Sequence, residues 1–214
     1  MNEKEYEFKV NIGGIDYGMD ALTNVHYEQP LFDKFDVGLV CSACLTVSYY
    51  FDLDPPKMAQ VIAYYRIKGS EDTWKQLGVF YVATRETKKY LKTLTCYDSI
   101  LRADIPFLTE GDPGKWPRSM YQVTQEIVQL IGIELDSRTE INPSTEYTLD
   151  YPNEDTARTL LGYIAAANLG NWIVTAENKL LLVPLFSSAP AETNYLIDED
   201  GDTLLFGDTR ILIE

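Results

Sequence analysis

The chain has little of what enzyme centres are commonly built from. Its 214 residues include three cysteines and one histidine. A disulfide framework needs a larger, even set, and a structural zinc site needs four Cys or His ligands. Basic residues are also scarce: 18 Lys and Arg stand against 33 Asp and Glu, a formal net charge of -15. A balance this acidic argues against nucleic acid, whose affinity comes from cations meeting phosphates, and against an anionic membrane surface. No apolar run reaches the roughly 20 residues of a membrane span. No signal-peptide pattern follows Met1-Asn2-Glu3-Lys4-Glu5. The phosphate-cradling, metalloprotease and nucleophile-elbow motifs are absent, and carboxylates are too plentiful to single out a dyad. The expectation is a non-enzymatic chain made in a reducing cytoplasm. It has no catalytic residue, cofactor-binding residue or metal ligand to nominate, and no cofactor.

What is present is a hydrophobic share of 45% and fifteen tyrosines. Tyr6-Glu7-Phe8-Lys9-Val10 alternates apolar with polar, Gly13-Gly14 supplies a turn, and Leu22 to Tyr27 is a second strand pattern. Pro30 breaks the run. Strand patterns return at Cys44 to Tyr49 and Gln60 to Ile67. Trp74 to Val82 and Tyr90 to Tyr97 read as a hairpin around a polar connection, Thr84-Arg85-Glu86-Thr87-Lys88-Lys89. About six short strands before residue 100 point to a small barrel or sandwich. Pro106, Gly111, Pro113, Gly114 and Pro117 then crowd a boundary. Beyond it, Met120, Val123, Ile127, Leu130 and Ile131 share a helical face after Ser119, with Gly132 as the stop. Asn153-Glu154-Asp155 reads as the start of a second helix whose buried face is Ala157, Leu160, Leu161, Ile164 and Ala165, with Gly170 ending it. Trp172 to Thr175 and Leu180 to Leu185 form a further hairpin, making residues 100–186 a compact α+β unit. The tail from Asn194 resumes β character. Either its last strand returns to the first sheet or the natural chain continues past Glu214.

Three groups of residues invite a chemical reading. Cys41-Ser42-Ala43-Cys44 has C-x-x-C spacing but enters a strand, where small packed residues are the expectation. Asp198-Glu199-Asp200-Gly201-Asp202 places its glycine fourth where a calcium loop wants it sixth, so a turn is expected. His26 has no nucleophile motif near it. The tyrosines carry more. Tyr49-Tyr50 and Tyr64-Tyr65 are adjacent pairs, and alternation sends one ring of each inward and one outward. These four are the interface candidates. Exposed tryptophans among Trp74, Trp116 and Trp172 would instead suit a carbohydrate-binding module, and a facing carboxylate pair would suit a cell-wall hydrolase.

Several stretches together resemble a known family. Phe35-Asp36-Val37-Gly38, Leu77-Gly78-Val79-Phe80-Tyr81-Val82 and Leu94-Thr95-Cys96-Tyr97-Asp98-Ser99 resemble the N-terminal part of tail-tip or baseplate hub proteins of phages and prophages of Gram-positive bacteria. Thr156-Ala157-Arg158, Gly170-Asn171-Trp172 and Gly207-Asp208 with Arg210-Ile211 are similar as well. The resemblance implies a mostly antiparallel, split barrel-like β-barrel with an inserted two-helix α/β domain, an α+β fold. The barrel would take residues 1–100 plus 190–214 and the insertion 101–189. It implies a homotrimeric ring linking the tail tube to the spike or fibre apparatus, with other tail-tip proteins as partners. Such a chain would be synthesised in the bacterial cytoplasm and assembled into a virion tail. Hub proteins of this kind are usually longer, with a second barrel. This chain stops at Glu214.

Overall fold

Seven strands are laid down in the first half of the chain because alternation and turn residues agree there. The computed structural model describes residues 6–30, 36–69, 71, 73–107, 115–141 and 148–185, with the backbone of Leu205–Phe206 and Thr209–Arg210. The strands are β1 (Tyr6–Ile12), β2 (Ile15–Tyr17), β3 (Leu22–Glu28), β4 (Cys44–Tyr49), β5 (Gln60–Ile67), β6 (Lys75–Lys88) and β7 (Leu91–Tyr97). They form one antiparallel sheet in the order β2-β1-β5-β6-β7-β4-β3. The sheet curls around Val10, Leu45, Val47, Val61, Phe80, Val82 and Leu94, all inside one core. Its edge strands β2 and β3 are consecutive in sequence. Among the described residues no ladder joins them, so the barrel is split there. Side chains bridge the gap from β2 to β4: Tyr17 stacks on Phe51 at 4.6 Å, and Phe51 on Tyr49 at 4.5 Å.

The long strand β6 departs from the sequence reading. Residues 84–88, read as a connection, are strand residues in register with β7, and the turn is only Lys89-Tyr90, with Lys89 at φ 59°. They are polar because they run beyond β5, whose pairing with β6 stops at Tyr81. Both faces of the strand there meet water, so alternation has no reason to appear.

The second half buries its own core. A 3-10 turn, Ser99–Ala103, leads through β8 (Arg118–Ser119) into α1 (Met120–Ile131). The chain continues through β9 (Glu134–Leu135), β10 (Thr148–Leu149), α2 (Ala157–Ala167), β11 (Gly170–Val174) and β12 (Lys179–Pro184). Ser119 caps α1 and Gly132 closes it at φ 72°. Leu130, expected on the buried face of α1, is exposed, and Val128 takes its place. Helix α2 buries the five residues expected of it but begins later, capped by the Thr156 hydroxyl on the Thr159 amide. Asn153 to Asp155 form the turn before it, where the Asp155 amide reaches Pro152 O. Nor does Gly170 end α2. Leu169 makes the left-handed step at φ 49°, and Gly170 already belongs to β11, where a Cβ would lie 2.7 Å from Val183 O. The helices pack on a sheet ordered β11-β12-β9.

Of residues 190–214 only β13 (Leu205–Phe206) and β14 (Thr209–Arg210) are described, paired with each other. The expected return of the tail to the barrel, the acidic turn at Asp198 to Asp202 and the rest of 190–214 lie outside the described residues.

Candidate functional site

The feature that ties the two cores together is a joint at residues 36–43. This stretch leaves the barrel side and runs parallel to β11, bridging Val40 to Trp172. The Gly38 amide donates to Gly170 O at 2.9 Å, Trp172 to Leu39 O at 2.9 Å, and Cys41 to Trp172 O at 2.8 Å. Asn171, fully buried, clamps the same stretch: its Oδ1 accepts from the Leu39 amide and its Nδ2 donates to Asp36 O, both at 2.9 Å. Gly38 sits at φ 87°, and a Cβ there would stand 2.9 Å from Ala166 Cβ and 3.3 Å from Gly162 O. Gly38→Ala is therefore expected to cost about 1–3 kcal/mol, read from the urea midpoint.

Asp98 closes the joint from the other side. It follows β7, is 3% exposed, and caps the 3-10 turn. One carboxylate oxygen accepts from the Ser42 hydroxyl at 2.9 Å and the Ile100 amide at 3.0 Å. The other accepts from the Ala43 amide at 2.7 Å. Burial pushes its pKa up to about 6, against the downward pull of those three donors and of Arg158. Arg158, on α2, reaches Val40 O and Ile100 O and pairs with Asp104 at 2.5 Å. The turn between β11 and β12 touches barrel strand β6 through Gln76 Nε2 to Ala176 O and the 3-10 turn through Ser99 Oγ to Asn178 Oδ1, each 2.5 Å. No buried side-chain polar atom among the described residues lacks a partner. A polar joint satisfied this fully holds the two cores in one arrangement.

Asp98, Asn171 and Arg158 stand in the sequence only as parts of the family-like stretches, and no role was expected of them there. A signal existed for the first: an aspartate at a strand end, followed by Ser99-Ile100-Leu101, has the look of a cap. Asn171 and Arg158 join segments more than a hundred residues apart, which local patterns do not report.

The interface candidates separate by face. Tyr49 is fully buried and donates its hydroxyl to Leu53 O at 3.0 Å; burial, then the Asp54 charge, pushes its pKa up to about 12. Tyr50 is 62% exposed. Tyr65 faces Phe8 across the ladder on the inner side, while Tyr64 faces Lys9 on the outer side, the ammonium 5.0 Å from its ring centroid. Both are half-buried. Tyr49 and Tyr50 thus divide between core and surface, whereas neither Tyr64 nor Tyr65 enters a core.

The tryptophans do not form an exposed row. Trp172 is fully buried, donating to Leu161 O at 2.8 Å. Trp116 packs edge-on to Phe107 and Tyr151, and Trp74 lies half-buried under Arg66 at 4.5 Å. Beside Trp74, Tyr6, Phe8, Met19 and Arg66 border a shallow cleft of about 610 Å³.

Cys41 is buried and Cys44 half-buried, neither in a disulfide, and the described residues bring no three of His, Cys, Asp and Glu into metal-binding proximity. Burial, with the nearby Cys44 charge, pushes the Cys96 thiol up to about 12. A thiol reagent at mildly alkaline pH is expected to modify Cys44 well before Cys96, which should react only on unfolding; mass spectrometry of the modified peptides checks this. His26 sits on exposed β3 beside Glu28, 2.9 Å away.

No protein-family model and no curated protein matches the sequence. Solved structures do match. The 43 kDa tail protein of prophage MuSo2 from Shewanella oneidensis aligns with a TM-score of 0.56 at 14% identity, over 94% of this chain and 61% of that one. The tail protein from Neisseria meningitidis MC58 aligns at 0.54 and 12%, over 93% and 53%. Prophage tail protein gp18 from Listeria monocytogenes EGD-e aligns at 0.51 and 12%, over 90% and 55%. What is shared at these identities is the fold, barrel and helical unit together. The chain spans little more than half the length of these proteins.

Proposed function

We propose that this chain is a structural, non-enzymatic component of a phage or prophage tail, placed at the tail tip or baseplate hub. Three copies would form a ring joining the tail tube to the spike or fibre apparatus, with the barrel (residues 1–100 and 190–214) as ring body and residues 101–189 as an inserted domain. The observation that carries this reading is the alignment of 90–94% of the chain on three separate tail proteins. A barrel and a helical unit fixed by one polar joint suit a part that transmits position rather than chemistry. Tyr50, Tyr64 and Tyr65 remain the proposed contact tyrosines; Tyr49 serves from inside the core.

Two measurements test this. Light scattering after size exclusion is expected to give three times the chain mass at high concentration. Tail particles purified from a producing strain are expected to contain the chain at the tip, seen by electron microscopy with a tagged copy. Particles that assemble fully without the chain would sink the reading.

A further inference from the structure

The β6–β7 hairpin carries a feature that the fold does not use. Past Val82, residues 84–88 are exposed, and among the described residues no strand pairs with them on the side away from β7. At the tip Tyr90 is 83% exposed, the most exposed of the large apolar side chains described. Lys88 and Lys89 precede it, and neither meets a carboxylate among the described residues. The stem is braced: Arg85 pairs with Asp54 at 3.1 Å and also reaches Pro55 O, while Lys92 pairs with Asp52 at 2.8 Å and also reaches Leu53 O. A rigid aromatic held out on a braced hairpin is the kind of anchor that binds a partner at low entropic cost.

The charge selects the partner. Of the four cations in residues 85–92, Arg85 and Lys92 are already paired, leaving Lys88 and Lys89 against Glu86 in a chain of net charge -15. Two such tips facing each other would oppose Lys88 and Lys89 to their own copies, so pairing of the tip with itself is disfavoured. A second copy offers the opposite sign elsewhere. Ahead of α2, Asp150 and Glu154 are exposed and Asp155 half-buried, none pairs with a cation among the described residues, and the turn borders an open concavity of about 650 Å³ lined by residues 151–155.

We propose that the hairpin tip, Tyr90 with Lys88 and Lys89, docks on the acidic turn at residues 150–155 of a second copy of this chain. The inference rests on the assembly reading above and names its contact. Tip and turn lie on different lobes, so the contact is head-to-tail. It therefore propagates from copy to copy and closes into a ring if the rotation allows. The lysines supply long-range attraction and the tyrosine the buried contact area.

The test uses the full chain in sedimentation and light scattering at two ionic strengths. Self-association should weaken as salt rises. Lys88→Glu/Lys89→Glu should raise the dissociation constant at least about tenfold, and Tyr90→Ala by a similar factor. All three sites are exposed, so thermal unfolding should stay close to the parent. Adding Asp150→Lys/Glu154→Lys to the charge-reversed tip should restore association. The inference fails if the reversed tip associates like the parent, if the double reversal does not restore binding, or if the parent is monomeric at about 100 µM. Carrying the reversed-tip variant into the tail-particle assay separates the two readings. Incorporation of both variant and parent removes the hairpin contact and leaves the tail role standing, whereas absence of the parent from the particles removes the tail role itself.

Discussion

Truncating Trp172 to alanine is expected to lower stability by about 3–5 kcal/mol. The indole is 0% exposed and sits among α2, α1 and the sheet of the second core. Its strand is also the one that receives the joint. On one side Trp172 exchanges backbone hydrogen bonds with Leu39 and Cys41, and on the other it faces Leu182 of β12. The cavity left by the ring would therefore open beneath the place where the two cores are fastened. Trp172→Phe separates the contributions. It keeps most of the apolar contact, loses the bond to Leu161 O, and should cost less than the truncation by about 2 kcal/mol. Urea denaturation followed by circular dichroism checks both, since the substitutions remove a fluorophore.

Asp98→Asn should produce a stability loss that depends on pH in a defined direction. An asparagine in this position cannot satisfy all its neighbours. With its oxygen toward Ile100 and Ser42, its NH2 meets the Ala43 amide; turned over, it meets the Ile100 amide. A donor facing a donor in a buried site costs about 1–3 kcal/mol. The parent carboxyl, raised to about 6 in the folded chain, compares with an ordinary aspartate near 4 when unfolded. Between those values the folded form holds more protons. The stability contributed by this carboxyl is thus complete below about pH 4 and is lost as pH rises through about 6. The gap between parent and variant should therefore be widest below about pH 4, shrink as pH rises from there to about 6 and level off above it. Paired urea curves across that range check it. A gap that widens with pH would mean that the three donors and Arg158 outweigh burial.

The contrast between what the sequence disclosed and what it hid has a physical pattern. Six of the seven barrel strands, the inward face of α2 and the β11–β12 hairpin were legible because each is a short-range consequence of alternation, helical spacing or turn chemistry, whereas the three-residue β2 is too short to alternate visibly. The extended β6–β7 stem was not, since residues 84–88 pair on one side only and bury neither face. The beginning of α2 was misplaced because Asn153 and Asp155 favour a turn as readily as a cap, and Thr156, one residue on, wins by reaching Thr159. The tip of the hairpin gave no sign of itself, as Tyr90 reads like any strand aromatic until the turn is shortened to two residues. The joint was hidden most deeply. Its contacts link residues near 40, 98 and 171, and only the completed fold puts them side by side.

The placement of residues 36–43 has a consequence for how such genes can be shuffled. A crossover or truncation near residue 100, where composition changes most sharply, has the look of a cut between two self-sufficient halves. It is not one, because the strip that flanks β11 is encoded about 130 residues upstream of it. A downstream half inherited alone would expose the Trp172 strand as a bare edge, and an upstream half would carry Gly38 and Val40 with nothing to lie against. Exchange between related genes should therefore preserve both segments from one parent. A nascent chain must likewise hold its early strip in waiting until residue 174 has left the ribosome.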